Sequence, residues 1–528
     1  MSKYTRKFSF FLAQFSSGTM ISRLTGFARE VAMATLFGVS ATVAGFWMAF
    51  RFAHLLRRFF GEGALHVSFV PHFVALKEKD SAKAAHFLYE LSLLLTLFLL
   101  FVVVVAELVL GGCVLFASIS RETQQVLLLT MTLLPALVFI CLYALNSAFL
   151  HSQNNYFLSS IAPALVNFVW IGGAFFFANE LAFVALQKLS MLIVVGFALQ
   201  YIVTLPRLLR FFSGQPKYDK SQALQIRREI LTLLLPFFFA ILGVCATQVN
   251  SLLDALFARA ADPSGPAYLW YAIRLQQLPL ALFGVGIASV LLPHLSKKSE
   301  RGDKELSINF ALKKSITLMV PITAAFLVMG LAMITFVYGH GKFSSDAIIH
   351  STYCLYLYAL ALVPMTLVLV LAPWFYAKKE TKLPAFCAFV SVGLNVLLNA
   401  FFVYRLQLGA GSIALATSIS ACANVGLLLF FIARDGGSVL GGVGKVFAKT
   451  ICCSVVAMAA AWQMGLFLGD QTSVLLADGV PILPTHFLTQ FQLFALPATI
   501  FSAAFILMAY LLRLREFTEL LQMSKARA

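Results

Sequence analysis

Residues 46–63 read FWMAFRFAHLLRRFFGEG, and residues 269–286 read LWYAIRLQQLPLALFGVG. At a constant offset of 223, Trp47 meets Trp270, Ala49 meets Ala272, Arg51 meets Arg274, Phe60 meets Phe283, Gly61 meets Gly284 and Gly63 meets Gly286. Both copies lead to a Pro-His pair, Pro71-His72 and Pro293-His294, with one residue of slippage. A weaker echo joins the region Phe149–Pro163 to Phe375–Pro384. A repeat of this length in apolar sequence argues for two related halves in parallel orientation.

The surroundings of the repeat fix the class. Of 528 residues, 60% are hydrophobic and 12% charged, against roughly 45–50% and about 25% in a soluble domain. A soluble fold with this composition would lack the polar residues to cover its surface. Disorder, a disulfide-stapled secreted domain and a soluble α/β enzyme fit poorly. The eight cysteines are scattered with no metal or disulfide spacing, which suits core packing. Apolar runs near the ~20 residues a crossing needs predict about fourteen spans. They fall at 8–37, 41–75, 85–118, 124–150, 157–178, 182–206, 229–258, 266–296, 309–337, 347–377, 384–404, 410–433, 446–468 and 486–512. The basic start MSKYTRK leads into a stretch with Gln14, Ser16, Ser17, Ser22 and Arg23, which reads as a first span rather than a signal peptide. The expected fold is an all-α polytopic membrane protein. Two pseudo-symmetric six-helix lobes, 1–215 and 216–435, precede two C-terminal helices and a tail in 436–528.

The net charge of +17 needs no nucleic acid to explain it. With the N-terminus inside, 28 lysines and arginines fall on cytoplasmic segments and 5 on outer loops. That bias is the positive-inside rule, and it places both termini in the cytoplasm.

Six arginines remain inside predicted spans: Arg23, Arg29, Arg51, Arg57, Arg58 and Arg274. Charge within the bilayer is costly, so such residues face a cavity or a partner. Arg51, His54, Arg58 and Glu62 are spaced to form one helical stripe, with Arg57 turned ~100° away. Arg23 and Arg29 splay by ~120° on an ideal helix, and Gly26 between them offers a place to bend. The guanidinium fork matches two phosphate oxygens, so an anion-binding cavity is one reading. Buried Arg–Glu pairing with Glu30 and Glu62, plus arginine capping of helix ends, is the other.

In the second half, Asp254 lies in QVNSLLDALFA, and Asn395 and Asn399 share a helix face. With Thr417 they form either an oxygen-only Na⁺ site, a proton site at Asp254, or an interhelical hydrogen-bond network. Enzyme signatures are missing: no complete GxGxxG, no phosphate loop, no HExxH and no CxxC.

The run Ser22-Arg23-Leu24-Thr25-Gly26-Phe27-Ala28-Arg29-Glu30 resembles the SRxxGFxR[DE] signature of the MurJ (MviN) family. So do Leu55–Ala64 followed by Phe69-Val70-Pro71, Trp270–Leu275, Leu291-Leu292-Pro293, Tyr338–Phe343 and Leu371–Tyr376. The match runs to about residue 435. The resemblance implies a lipid II flippase of the bacterial inner membrane, within the multidrug/oligosaccharidyl-lipid/polysaccharide exporter superfamily. It implies no enzyme activity and no cofactor. Its partners would be lipid II, membrane lipid and cell-wall synthesis proteins. Energy would come from a Na⁺ or H⁺ gradient or the membrane potential.

Carried onto matching positions, Ser22, Arg23, Arg29, Glu30, Arg57, Arg58, Glu62 and Arg274 line a central cavity. Arg29 and Arg274, one from each half, are the choice for the pyrophosphate. Asp254, Asn395, Asn399 and Thr417 look like counterparts of the sodium site of some members. Two departures stand out. Many relatives carry Asp where this chain has Ala44 and Ile273, so its cavity should be more positive. Exporters of other lipid-linked oligosaccharides and drug or cation antiporters of the same superfamily are the alternatives. An antiporter should instead carry acids in its cavity.

Overall fold

Short polar residues start several helices in the computed structural model. Asp80 accepts from the backbone N of Lys83 at 3.0 Å, Ser120 from Thr123 at 3.2 Å and Ser344 from Ala347 at 3.2 Å. Each side chain satisfies a donor the helix itself leaves open. Gly38, with φ 61°, ends the first helix in the left-handed region a glycine adopts without strain.

The structure describes the backbone of residues 3–60, 64–215, 223–284, 286–288, 291, 295, 301–378, 380–471, 476–477, 480–481, 484 and 486–519. Side chains are described for the same residues except 3–13, 16, 54–60, 64–68, 223–225, 232–247, 301, 469–471, 476–477 and 480–481.

By contacts, the chain divides into residues 1–252 and 253–528. The first unit holds α1 (Lys3–Phe37), α2 (Ala41–Phe60), α3 (Ala64–Lys79), α4 (Ser81–Phe116), α5 (Arg121–Leu133), α6 (Ala136–Ser152), α7 (Tyr156–Ile161), α8 (Pro163–Phe177), α9 (Ala182–Ile202) and α10 (Leu205–Ser213). The division falls within α11 (Ala223–Ala261). The second unit continues with α12 (Gly265–Pro279), α13 (Arg301–Tyr338), α14 (Ser345–Ala377), α15 (Lys382–Ala400), α16 (Gly411–Arg434), α17 (Val443–Gln471) and α18 (Phe487–Leu511). Leu476–Ala477 and Val480–Pro481 form a two-residue antiparallel pair before α18.

Ten helical segments among the described residues are long and apolar enough to cross a membrane: 81–116, 121–152, 156–177, 182–213, 302–338, 345–377, 382–405, 411–434, 443–468 and 487–511. They coincide with ten of the predicted stretches. The other four stretches fall on α1, on α2 with α3, on α11, and on α12 with the turn that follows it. These four hold all six intramembrane arginines and Asp254. Helix α1 runs without a break in its helical assignment from Lys3 to Phe37. Beyond Pro279 the chain passes into a π-turn, Leu280–Gly284. Proline removes a backbone donor and crowds the preceding turn, so the helical hydrogen-bond register shifts there.

In the first unit α1 lies against α7 and α8, α8 against α9, and α2 against α5 and α6. Gly18 allows the first of these approaches. A Cβ there would sit 2.1 Å from Ser160 Oγ and 3.2 Å from the backbone N of Ile161. Phe69, Phe73, Phe87 and Phe149 build a core that also takes Ile226 and Ile230 of α11. On α4 the large side chains Leu97, Phe98, Phe101 and Leu108 are exposed. That face suits lipid rather than water.

In the second unit α14 is central, packed by α12, α13 and α16. Helices α17 and α18 pair with each other and lie on α13. Buried Cys453, Ala457 and Ala461, one turn apart on α17, keep that packing close, as small residues do between membrane helices. In the first half of α13, Lys314 is buried. Its Nζ donates to the Glu516 carbonyl at 2.6 Å and to Glu519 Oε2 at 2.8 Å.

Candidate functional site

The first site is built around Arg29 in the first unit. On α1, Arg23 is exposed, whereas the Arg29 side chain is 15% exposed. The difference agrees with the splay their six-residue spacing predicts. Arg29 Nη2 donates to Glu30 Oε1 at 2.6 Å, and Glu30 is buried. Arg29 Nη1 donates to Asn167 Oδ1 on α8 at 3.1 Å. The other end of that amide donates to the Ser22 carbonyl at 3.2 Å and to Thr25 Oγ1 at 3.0 Å. Asn167 therefore joins α8 to two turns of α1. Ser22, half-buried, takes part through its backbone.

One turn after Asn167, Trp170 places its ring 4.5 Å from the Arg29 guanidinium carbon, within cation–π range. Trp170 is itself fully buried among Trp47 (6.1 Å, stacked), Phe46 (5.7 Å, edge-on) and Phe50 (4.9 Å, edge-on). The arginine is thus clamped on one face by indole and on its fork by one amide and one carboxylate. An anionic ligand reaching Arg29 has to compete with Glu30 for Nη2.

Neither Asn167 nor Trp170 is singled out by sequence reasoning. Both sit in an apolar run, PALVNFVWIGG, and the one available signal is their i, i+3 spacing on a common helical face. Arg51 on α2 is half-buried and donates to the Ser251 carbonyl at 3.3 Å. Arg57 and Arg58 lie on α2 with side chains outside the described residues, and Glu62 lies outside them altogether.

In the second unit α12 carries Arg274 one turn after Trp270. The guanidinium carbon stands 4.0 Å from the indole centroid, the tighter of the two stacks. Trp270 is buried and Arg274 half-buried. Ala44 and Ile273, the two departures noted in the sequence, are buried and half-buried respectively.

The structure brings Asp254, Asn395, Asn399 and Thr417 together from α11, α15 and α16 of the second unit. Asn399 Nδ2 donates to Asp254 Oδ1 at 2.8 Å and to Asn395 Oδ1 at 2.9 Å. Asn395 Nδ2 reaches Thr417 Oγ1 at 3.4 Å, and Thr417 donates to the Ile413 carbonyl at 3.0 Å. Asp254, Asn395 and Asn399 are buried, and Thr417 is half-buried. The set offers one carboxylate, two amide oxygens and one hydroxyl. These are hard donors of the kind Na⁺ or Ca²⁺ takes, and also a route for a proton at the carboxylate. Among the described residues, no group of three or more His, Cys, Asp or Glu is placed to hold a metal.

A family model described as lipid II flippase MurJ matches residues 33–477. The chain is 30% identical over 515 residues to a probable lipid II flippase MurJ of Chlamydia trachomatis, covering 96% of this chain and 94% of that one. It is 30% identical over 435 residues to lipid II flippase MurJ of Burkholderia cenocepacia, covering 80% and 83%. Among solved structures, lipid II flippase MurJ in an inward closed conformation superposes with a TM-score of 0.76 at 24% identity, over 94% of this chain and 98% of that one. A multidrug resistance MATE family transporter of the MOP superfamily superposes with a TM-score of 0.62 at 14% identity, over 82% and 99%. At these identities the structural likeness is one of fold. The chain belongs to the MurJ lipid II flippase family, as a multi-pass inner-membrane transporter rather than an enzyme.

Proposed function

We propose that the protein moves lipid II, the undecaprenyl-pyrophosphate-linked peptidoglycan precursor, from the cytoplasmic to the periplasmic leaflet by alternating access. The observation that carries this is the match to chains named lipid II flippase over 96% of the sequence. Arg29 and Arg274 are the residues assigned to the pyrophosphate in an arginine-lined cavity, with Ser22, Arg23, Glu30, Arg57, Arg58 and Glu62 also lining it. The planar fork of arginine suits vicinal phosphate oxygens. About fourteen helices span the bilayer, with both termini cytoplasmic. Two six-helix lobes (1–215 and 216–435) alternate between inward and outward access, and 436–528 adds two helices and a tail. Lipid II and membrane lipid are the partners, with cell-wall synthesis proteins as further ones.

Asp254, Asn395, Asn399 and Thr417 are the candidate site for a coupling Na⁺, or Asp254 for a proton. A membrane potential of 100 mV contributes about 2.3 kcal/mol per charge moved, enough to bias such a cycle. The buried position of Asp254 supports an ion-dependent role, because a carboxylate in a span is costly unless it has work or partners.

The test is rescue of a flippase-depleted bacterium, with periplasmic exposure of lipid II scored directly. Wild type, Arg29→Ala and Arg274→Ala are compared at equal membrane abundance. Rescue by wild type and failure of either variant supports the reading. A well-expressed wild type that restores nothing shifts the substrate to another lipid-linked glycan. Normal function of both variants assigns the arginines to structure.

A further inference from the structure

We propose that Asn167 and Trp170 are positioning residues for Arg29. They fix the plane and rotation of its guanidinium so that the N–H groups now turned to Glu30 meet a diphosphate rather than a single phosphate once the ligand displaces that carboxylate. The inference rests on the substrate reading above and adds what orients the arginine.

An arginine carries many rotamers, and a freely swinging guanidinium neutralises any anion without selecting its shape. Arg29 is contacted on three sides, by Trp170, Asn167 and Glu30. The guanidinium carbon lies 4.5 Å over the Trp170 ring, within cation–π range. Asn167 holds Nη1 at 3.1 Å, which sets rotation within the plane. Asn167 in turn has no freedom to turn away, because its Nδ2 is bonded to the Ser22 carbonyl and to Thr25 Oγ1. Trp170 is wedged by Trp47, Phe46 and Phe50. The support therefore runs from the packed core of the first unit to the charged group in two steps.

Two of the five guanidinium N–H groups are engaged, one with Asn167 and one with Glu30. A ligand that displaces Glu30 would find an oriented pair of donors, which suits two oxygens with a fixed separation. The second unit presents Arg274 in the same manner, on Trp270 at 4.0 Å.

The test uses the purified full-length protein in nanodiscs, with undecaprenyl pyrophosphate and undecaprenyl monophosphate as probes. Asn167→Leu, Trp170→Phe and Trp170→Leu are measured alone and in an Arg29→Ala background, each with its thermal midpoint. Asn167→Leu and Trp170→Leu are expected to weaken diphosphate binding about tenfold, or about 1.4 kcal/mol. Monophosphate binding should change far less. Trp170→Phe keeps a π face and should lose less than Trp170→Leu. In the Arg29→Ala background, none of the three should have a further effect, because a residue acting through another shows no independent penalty. Equal weakening of both lipids, or penalties that add in full to Arg29→Ala, would overturn the proposal. If Trp170→Leu lowers the midpoint, Asn167→Leu and Trp170→Phe decide alone. Wild type that binds neither lipid would overturn the substrate reading itself, a separate outcome from wild-type binding with silent variants.

Discussion

Asn399 on α15 donates to Asp254 Oδ1 on α11 at 2.8 Å, and the same amide nitrogen reaches Asn395 Oδ1 at 2.9 Å. One amide thus ties a buried carboxylate on α11 to the preceding turn of α15. Such an arrangement has two uses that respond differently to the same substitution. If the cluster is a hydrogen-bond network alone, removing the charge of Asp254 while keeping its shape is mild. If the cluster takes a cation, the charge is essential.

The coupling proposal therefore predicts a specific response to Asp254→Asn. The thermal midpoint of wild type should rise when Na⁺ replaces K⁺, since a ligand that binds the native state stabilises it by RT ln(1 + [L]/Kd), about 2.7 kcal/mol at a hundredfold excess over Kd. The Asp254→Asn variant should keep its midpoint in K⁺ and show no rise in Na⁺. A proton site instead gives no Na⁺ response in either protein and lipid II exposure that loses its dependence on the pH gradient in the variant. Asn399→Leu should lower the midpoint in both salts, because it removes a bond to a charged group worth ~1.5–3 kcal/mol.

The two ion pairs that fasten α11 to α4 allow a contrast based on burial. Arg227 Nε donates to Glu90 Oε2 at 2.7 Å, and the Glu90 side chain is 2% exposed. Lys83 Nζ meets Glu229 Oε1 at 2.5 Å, with both side chains about one-third exposed. Removing a partner from a buried carboxylate leaves charge that water cannot reach, whereas an exposed pair rehydrates. Arg227→Ala should cost about 1.5–3 kcal/mol, and Glu229→Ala below about 1 kcal/mol. Unfolding of both variants in the same detergent, read from the melting midpoint, measures the difference. Equal penalties would mean that burial of Glu90 does not govern its worth.

Much of this architecture is visible in the sequence, and the parts that are not share a cause. The apolar runs mark ten spans directly, and the i, i+4 spacing of Asn395 and Asn399 announces a polar face before any partner is known. Period and hydropathy are local properties, so both survive without tertiary information. Breaks inside spans are harder to see. The stretch 124–150 reads as one span, yet it divides into α5 and α6 around Pro135, where a backbone donor is missing. Asn167 is harder still, because it is a lone polar residue in an apolar helix. Only the packing of α8 on α1 brings it to Arg29, 138 residues earlier. Among the glycines of α1, Gly18 is the one that the packing requires, and nothing in its sequence surroundings marks it.

Lys314 gives a prediction about the C-terminal segment. Its amine is buried on α13 and satisfied by the Glu516 carbonyl and by Glu519, whose side chain is 52% exposed. The buried member bears the desolvation cost and the exposed member does not, so the two deletions are unequal. Lys314→Met replaces the amine with a chain of similar length and lets Glu519 return to water, for a cost of about 1 kcal/mol or less. Glu519→Ala leaves the buried ammonium with a single neutral acceptor, for about 1–2 kcal/mol. It should also speed trypsin cleavage at the exposed residues Arg513 and Arg515 relative to wild type. Cleavage at the wild-type rate would show that Leu514, fully buried against α13, α17 and α18, anchors the segment without the ion pair.

The approach of α1 to α7 sets the last expectation, and it follows from distances alone. A Cβ at position 18 would overlap Ser160 Oγ at 2.1 Å, touch Ser160 Cβ at 3.0 Å, and crowd the Ile161 backbone N at 3.2 Å. The hydroxyl can rotate or be deleted, but the backbone cannot move without shifting α7. Gly18→Ala should therefore destabilise the protein by about 1–3 kcal/mol, the usual cost of overpacking. Ser160→Gly in the same chain should recover part of that loss, because it removes both side-chain clashes. Full recovery is not expected while the Ile161 nitrogen stays in place. Melting midpoints of the two single variants and the double variant give the coupling directly. Strict additivity would place the strain elsewhere on α1, whereas partial rescue locates it at this crossing. The same substitutions should weaken lipid II exposure only as far as they lower folded abundance, since Gly18 stands about three helical turns before Arg29 on α1.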